Sequence, residues 1–356
     1  MDFNKRQTQM AKGIAILFML FHHLFSYRED VIEEYRVSFA PLSMQTVTLL
    51  AVAAKICVGI FVFLSAFGMT RSYHMKLQEG QTALERTEEE HFVFRRLRKL
   101  LSGYLFIYVI ALLVFLLTGR AIPVYRTDGT WKALIFAFLD ALGLASFMGT
   151  PTINVTWWYM SIAIVMIVLL PILVRWVKRD GLLVVGLAAF AGYFNITTTS
   201  FGRYLFVFVC GVYCAEYRIL ERLGTALTEG RSRSTYLLGT GVSVLAFPLL
   251  YYTRIRTGWD YWLDAFLAMD LCLMIYLMTF EGKEGLLQKG LLFIGRYSMT
   301  VFLTHTFIYY YYFTGFIYSF HNWLLIYVVM VLCSLLLAVV LEQIKSLFGR
   351  VLHHAV

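Results

Sequence analysis

Apolar residues run along this chain in long blocks separated by short polar stretches. A helix rises about 1.5 Å per residue, so roughly 20 apolar residues cross the ~30 Å hydrocarbon core of a bilayer. The blocks predict an all-α membrane bundle of ten crossing helices, at 11–27, 45–70, 100–118, 157–174, 181–199, 204–217, 235–252, 261–280, 291–313 and 323–344. The 204–217 block is short and spans only if the bundle buries it. An eleventh block, 131–148, opens with Trp131-Lys132 and is interrupted by Asp140. Only 76–91, with Glu79, Glu85, Glu88, Glu89 and Glu90 among basic residues, reads as a sizeable solvated loop. Neither an internal repeat nor an appended soluble domain is visible, so 1–356 reads as one membrane-embedded unit.

Loop charges orient the bundle. Lys and Arg concentrate on the cytoplasmic side of short loops. If the N-terminus is cytoplasmic and 131–148 does not cross, most of the 31 basic residues fall inside: Lys5, Arg6 and Lys12, the 71–99 segment, Arg175–Arg179, the Arg218–Arg233 cluster, 281–290 and the C-terminus. If 131–148 crossed, Arg175, Lys178, Arg179 and the Arg218–Arg233 cluster would face out. The expectation is therefore ten spans with both termini cytoplasmic, and 131–148 as an outer-face or re-entrant helix.

Composition excludes a soluble protein: of 356 residues, 60% are hydrophobic and 15% charged, against about 25% charged in soluble domains. The net charge of +9 does not indicate nucleic acid, because the basic residues lie in loops between apolar blocks. The first block stays as a span, since no small-residue cleavage site precedes the polar stretch near Arg28. Cys57, Cys210, Cys214, Cys272 and Cys333 all sit in apolar blocks without metal-ligand spacing. They read as packing residues, and no metal is expected.

Polar groups inside the blocks are where chemistry is to be sought, because ionisable side chains are costly at membrane depth. In the first block His23 follows Lys12 by eleven residues, about 16 Å and close to three full turns, so both share a helix face. His22 points about 100° away. In the ninth block Arg296 and His305 repeat the arrangement. Phe94-Arg95-Arg96-Leu97-Arg98-Lys99 opens the third block, and arginine forks suit phosphate. Ordinary alternatives stand beside each: a snorkelling Lys12, a core histidine, a topology anchor on anionic lipid. Lys55, Ser65, Ser161, Asp264 and Asp270 form a looser set, in which Asp270 either orients a histidine or pairs with Lys55. Trp157-Trp158-Tyr159 reads as an outer aromatic belt.

Taken in order, Lys12-Gly13-Ile14-Ala15 with His23, Phe61 to Gly68, Arg95-Arg96-Leu97-Arg98, Trp157 to Ser161, and Gly295-Arg296-Tyr297-Ser298 through His305 resemble the motifs of the acyltransferase 3 family, over about residues 8–345. The resemblance implies a multi-pass enzyme of the cell membrane, bacterial inner or cytoplasmic. It would take acetyl or another acyl group from cytosolic acyl-CoA to a hydroxyl of an envelope glycan or similar acceptor. Lys12 stands where many members carry Arg, and Ala66 where Gly is usual. Lys12, Arg95, Arg96, Arg98 and Arg296 would hold acyl-CoA. His23, favoured over His22 on spacing, would be the base, and His305, Ser298 or Ser161 would stabilise the oxyanion or hold the acceptor. His22, Ser161, Ser298 and Trp157 would contact the acceptor. Direct transfer and an acyl-enzyme both stay open, as does oligomeric state. The rival is a non-catalytic transporter or flippase of a glycan or lipid-linked substrate, which would show repeats or broken helices. A third reading is a sensor or scaffold that keeps the fold without activity.

Overall fold

A computed structural model describes residues 3–77, 85–119, 124–125, 129–194, 200–229, 232–279 and 285–354, and among them every element is helical. The first helix, α1 (Lys5–Phe25), starts where Asn4 and Gln7 form a reciprocal cap. Asn4 Oδ1 accepts from the Arg6 and Gln7 amides, and Gln7 Oε1 accepts from the Asn4 amide at 2.7 Å. This satisfies otherwise orphaned donors just before the apolar run begins. After α2 (Glu29–Glu34), α3 (Met44–Ala53) leads almost without interruption into α4 (Ile56–His74). The third long helix is α5 (Arg86–Leu117). Residues 86–91 therefore belong to a helix rather than to the expected charged loop, whose 78–84 portion lies outside the described residues.

The 131–148 block forms two pieces, α6 (Thr130–Ala141) and α7 (Ala145–Met148), divided at Gly143 with φ +70°. Neither is long enough to cross a bilayer. Asp140 explains the interruption. Its carboxylate is 1% exposed and accepts from the Tyr125 hydroxyl at 2.5 Å and the Ile153 amide at 2.9 Å, while Tyr104 Oη donates to its carbonyl at 2.7 Å. One charged residue thus knits this segment to α5 and to the chain that follows.

The fourth and fifth predicted spans join as α8 (Trp158–Tyr193), broken at Asp180 (φ −132°, ψ 41°). Then come α9 (Ser200–Glu216), α10 (Ile219–Thr228), α11 (Arg233–Thr257) and α12 (Asp260–Met278). The ninth predicted span is two helices, α13 (Leu286–Arg296) and α14 (Ser298–Thr306), the second running on through a π-helical turn to Tyr312. They meet at 65° across Tyr297. After α15 (Thr314–Tyr318), α16 (Trp323–His354) closes the chain.

Among the described residues six stretches are long and apolar enough to cross a membrane: 44–74, 86–117, 155–193, 233–257, 260–278 and 323–348, or seven if the bent pair counts as one. The described parts of all ten predicted blocks are mainly helical, but α1 and α9 are not among those stretches. Lys12, His22 and His23 dilute α1, and α9 has 17 residues. Both lie at the centre of the bundle, α1 against α3, α4, α12, α13 and α14, and α9 against α4, α8 and α12. The 44–74 stretch is 61% buried and α11 only 6%, so the lipid faces α11 while the polar helices sit inside, where partners offset the cost of polar groups.

Two close approaches set that centre. A Cβ on Gly13 would lie 2.3 Å from the Leu291 carbonyl oxygen, and one on Gly295 1.8 Å from that of Gln9. A Cβ on Gly211 of α9 would lie 2.7 Å from the Ala66 methyl carbon. The methyl of Ala66 on α4 is thus accommodated by a glycine on the neighbouring helix, as small-residue packing between membrane helices requires.

Candidate active site

Helices α1, α4, α8, α9 and α14 enclose a cavity of about 680 Å³. Lys12, Leu100, Ser298 and Met299 line it, as do His22, His23, Ser26, Lys55, Arg203 and Tyr204. The eleven residues from Lys12 to His23 separate two ends by about 16 Å. Because α4 begins at Lys55, beside His22, and reaches Ser65 ten residues later, it runs antiparallel to α1 and brings Ser65 toward the Lys12 end.

The His23 end holds three imidazoles. The His23 ring centroid lies 5.0 Å from that of His22 and 4.9 Å from that of His305. His22 Nδ1 is 2.7 Å from the Ala51 carbonyl and His305 Nδ1 is 2.9 Å from that of Phe302. Carbonyls only accept, so both Nδ1 atoms carry the proton. His23 itself has no hydrogen-bond partner among the described residues. His305, 0% exposed, lies behind His23 rather than on the cavity wall, and its Nε2 is buried without a partner. Tyr309, in the π-helical turn, stacks on His305 with centroids 5.9 Å apart. Among the described residues, no three His, Cys, Asp or Glu side chains converge as a metal site.

The Lys12 end opens toward cations. Arg96 and Lys99 act electrostatically on Lys12, and Leu100 next along α5 lines the cavity. Arg95, Arg98 and Lys99 are exposed, and the half-buried Arg96 guanidinium lies 5.2 Å from the Phe92 ring centroid. Arg296 is exposed and does not line the cavity, although Ser298, across the bend, does. The expected second cation beside the channel thus stands outside it, because the 65° break turns α13 away from α14.

Ser161 and Trp157 are also placed elsewhere. Ser161 Oγ donates to the Gly143 carbonyl at 2.7 Å, tying α8 to the turn after α6, and Trp157 Nε1 donates to that of Leu303 at 3.0 Å, tying the start of α8 to α14. The neighbouring Trp158 is the tryptophan that faces the cavity. Asp270 neither pairs with Lys55 nor touches a histidine: its Oδ1 accepts from Ser243 at 2.6 Å. Asp264 pairs with Arg254 at 2.5 Å. Ser26, Thr156, Arg203 and Tyr204 are lining residues that the sequence did not single out. An intramembrane cation was the one available signal, and it was legible for Lys55, whereas Arg203 resembles a loop charge.

The model of the acyltransferase 3 family, described as an acyltransferase domain, matches residues 9–343, nearly the whole chain. The chain belongs to this family and is a multi-pass membrane acyltransferase. No curated protein and no solved structure matches it.

Proposed function

We propose that this protein moves an acyl group, acetyl by family habit, from cytosolic acyl-CoA to a hydroxyl of a cell-envelope glycan or similar acceptor. The observation that carries the reading is one cavity with Lys12 at one end and, three turns away, a histidine that makes no side-chain hydrogen bond among the described residues. Arg95, Arg96, Arg98 and Lys99, with Arg296 nearby, would receive the phosphates of the donor, as planar and point cations do. The pantetheine arm would run past Lys12 and Ser298, its reach matching three helical turns. At the far end His23 would take the proton of the acceptor hydroxyl as that oxygen attacks the thioester carbonyl, and the CoA thiolate would leave. His22, pinned to Ala51, suits contact with the acceptor better than proton transfer. His305 would hold His23 in place.

On this reading the helices cross ten times, with both termini in the cytosol and 131–148 on the outer face of the cell membrane. The two short pieces α6 and α7 and the charge bias support it. Purified protein with radiolabelled acetyl-CoA and envelope glycan tests the activity. Transfer that His23→Ala removes, with CoA binding intact, is the expected outcome. Wild-type protein that neither binds CoA nor labels an acceptor overturns it.

A further inference from the structure

The His23 end of the cavity carries positive charge that the protein does not neutralise. Lys55, Arg203 and Arg254 face Asp260 and Asp264 there. Arg203 pairs with Asp260, and Arg254 with Asp264. The third cation, Lys55, has no ion-pair or hydrogen-bond partner for its ammonium among the described residues, and it lines the cavity within electrostatic reach of His22 and His23. A half-buried lysine held among other cations in a membrane bundle is costly unless something negative visits it.

Two further observations point to a ligand at the same place. Ser26 Oγ is buried, lines the cavity and has no hydrogen-bond partner. Buried hydroxyls are rarely left so, because an unmade bond costs more than a made one gains. In the same cavity Trp158 and Tyr204 lie nearly parallel, 20° apart with centroids at 6.2 Å, and both line the wall. Flat aromatic faces of this kind accept the C–H face of a sugar ring, while Ser26 and Lys55 offer a hydroxyl and a cation to its polar edge.

We propose that the acceptor is an anionic sugar, bearing a carboxylate or a phosphate, and that Lys55 recognises its negative group with Ser26 beside it. This rests on the acyl-transfer reading of the cavity and names its acceptor class. Arg203, already paired with Asp260, does not make the direct contact. The charge acts on binding more than on chemistry, because Lys55 meets a group away from the reacting hydroxyl.

The test uses full-length protein in detergent. Binding of glucose, glucuronate and glucose 6-phosphate is measured at one pH and ionic strength, with acetyl-CoA binding measured separately. Wild type should bind at least one anionic sugar tenfold or more tightly than glucose, and the better of the two says whether carboxylate or phosphate is the native charge. Lys55→Gln should lose that tenfold preference, Lys55→Arg should keep it, and acetyl-CoA binding should be unchanged in both. Retention of acetyl-CoA binding shows that the variants are folded. Equal binding of all three sugars to wild type, or an undiminished preference in Lys55→Gln, overturns the proposal. Absence of acetyl-CoA binding in wild type instead overturns the donor assignment and leaves the sugar measurement readable.

Discussion

The two ends of the cavity are built on different principles. At the Lys12 end, cations gather loosely: Arg95, Arg98, Lys99 and Arg296 are exposed, and only Lys12 faces inward. At the His23 end, groups are fixed by packing and by backbone carbonyls, with His22 and His305 each pinned through Nδ1. Loose cations suit a ligand group recognised by charge. Fixed rings suit a reaction in which an error of 1 Å costs about a hundredfold in rate.

Substitutions that treat the two ends differently test this contrast. The largest effect is expected for His23→Ala, a loss of roughly 10²- to 10⁴-fold in transfer as for a general base, while acyl-CoA binding is retained. Equal loss of both would place His23 in binding instead. His305→Ala should lower kcat by roughly tenfold to a hundredfold through looser placement of His23, with KM unchanged. A rise in KM alone would mean that His305 meets a substrate. The double variant Arg95→Ala/Arg98→Ala should raise KM for acyl-CoA several-fold with little change in kcat, and the difference from wild type should shrink at high salt, because exposed charges are screened. A difference that persists at high salt would mean that these arginines are structural.

The smallest effect concerns Asp140, which lies outside the crossing helices. Burial pushes its carboxyl above the ordinary 3.8, against the hydrogen bonds that it accepts from Tyr125 and the Ile153 amide. A carboxyl raised on folding binds its proton more tightly in the folded state, so its contribution is fully present below the unfolded pKa and is lost as pH rises through the folded one. Wild type should therefore lose stability relative to Asp140→Asn as pH rises from about 4, read as a Tm difference between the two proteins. A difference that does not vary with pH would remove the titration from the account.

Block length and apolar pattern conveyed where the helices lie, since a bilayer imposes both on a crossing helix. They did not convey the break at Tyr297, whereas the break at Asp180 falls where the fourth and fifth blocks are divided. Helix breaks depend on what packs alongside, as Gly295 does against Gln9, and neighbours across a bundle are not written in local pattern. The Lys12–His23 pair was readable because both residues lie on one helix, where spacing fixes relative position. Arg296 failed for the complementary reason: its spacing from His305 assumed one straight helix. Ser161 and Trp157 resemble their cavity-lining neighbours in type, and only the hydrogen bonds to Gly143 and Leu303 reveal that their polar atoms are already engaged.

The crossing of α1 and α13 carries a consequence for donor choice. With no side chain between the Gly13 and Leu291 backbones, or between Gly295 and Gln9, each carbonyl occupies the notch where a methyl would stand, and the helices cannot slide. The interval from Lys12 to His23, set by the rise of α1 itself, is a calliper of set gauge, and the crossing fixes how it sits against α13. On the proposed reading, a donor whose arm is one methylene too long or too short is misaligned at the far jaw before its acyl group is touched. On that same reading, two glycines that never meet the carrier hold the calliper in its place.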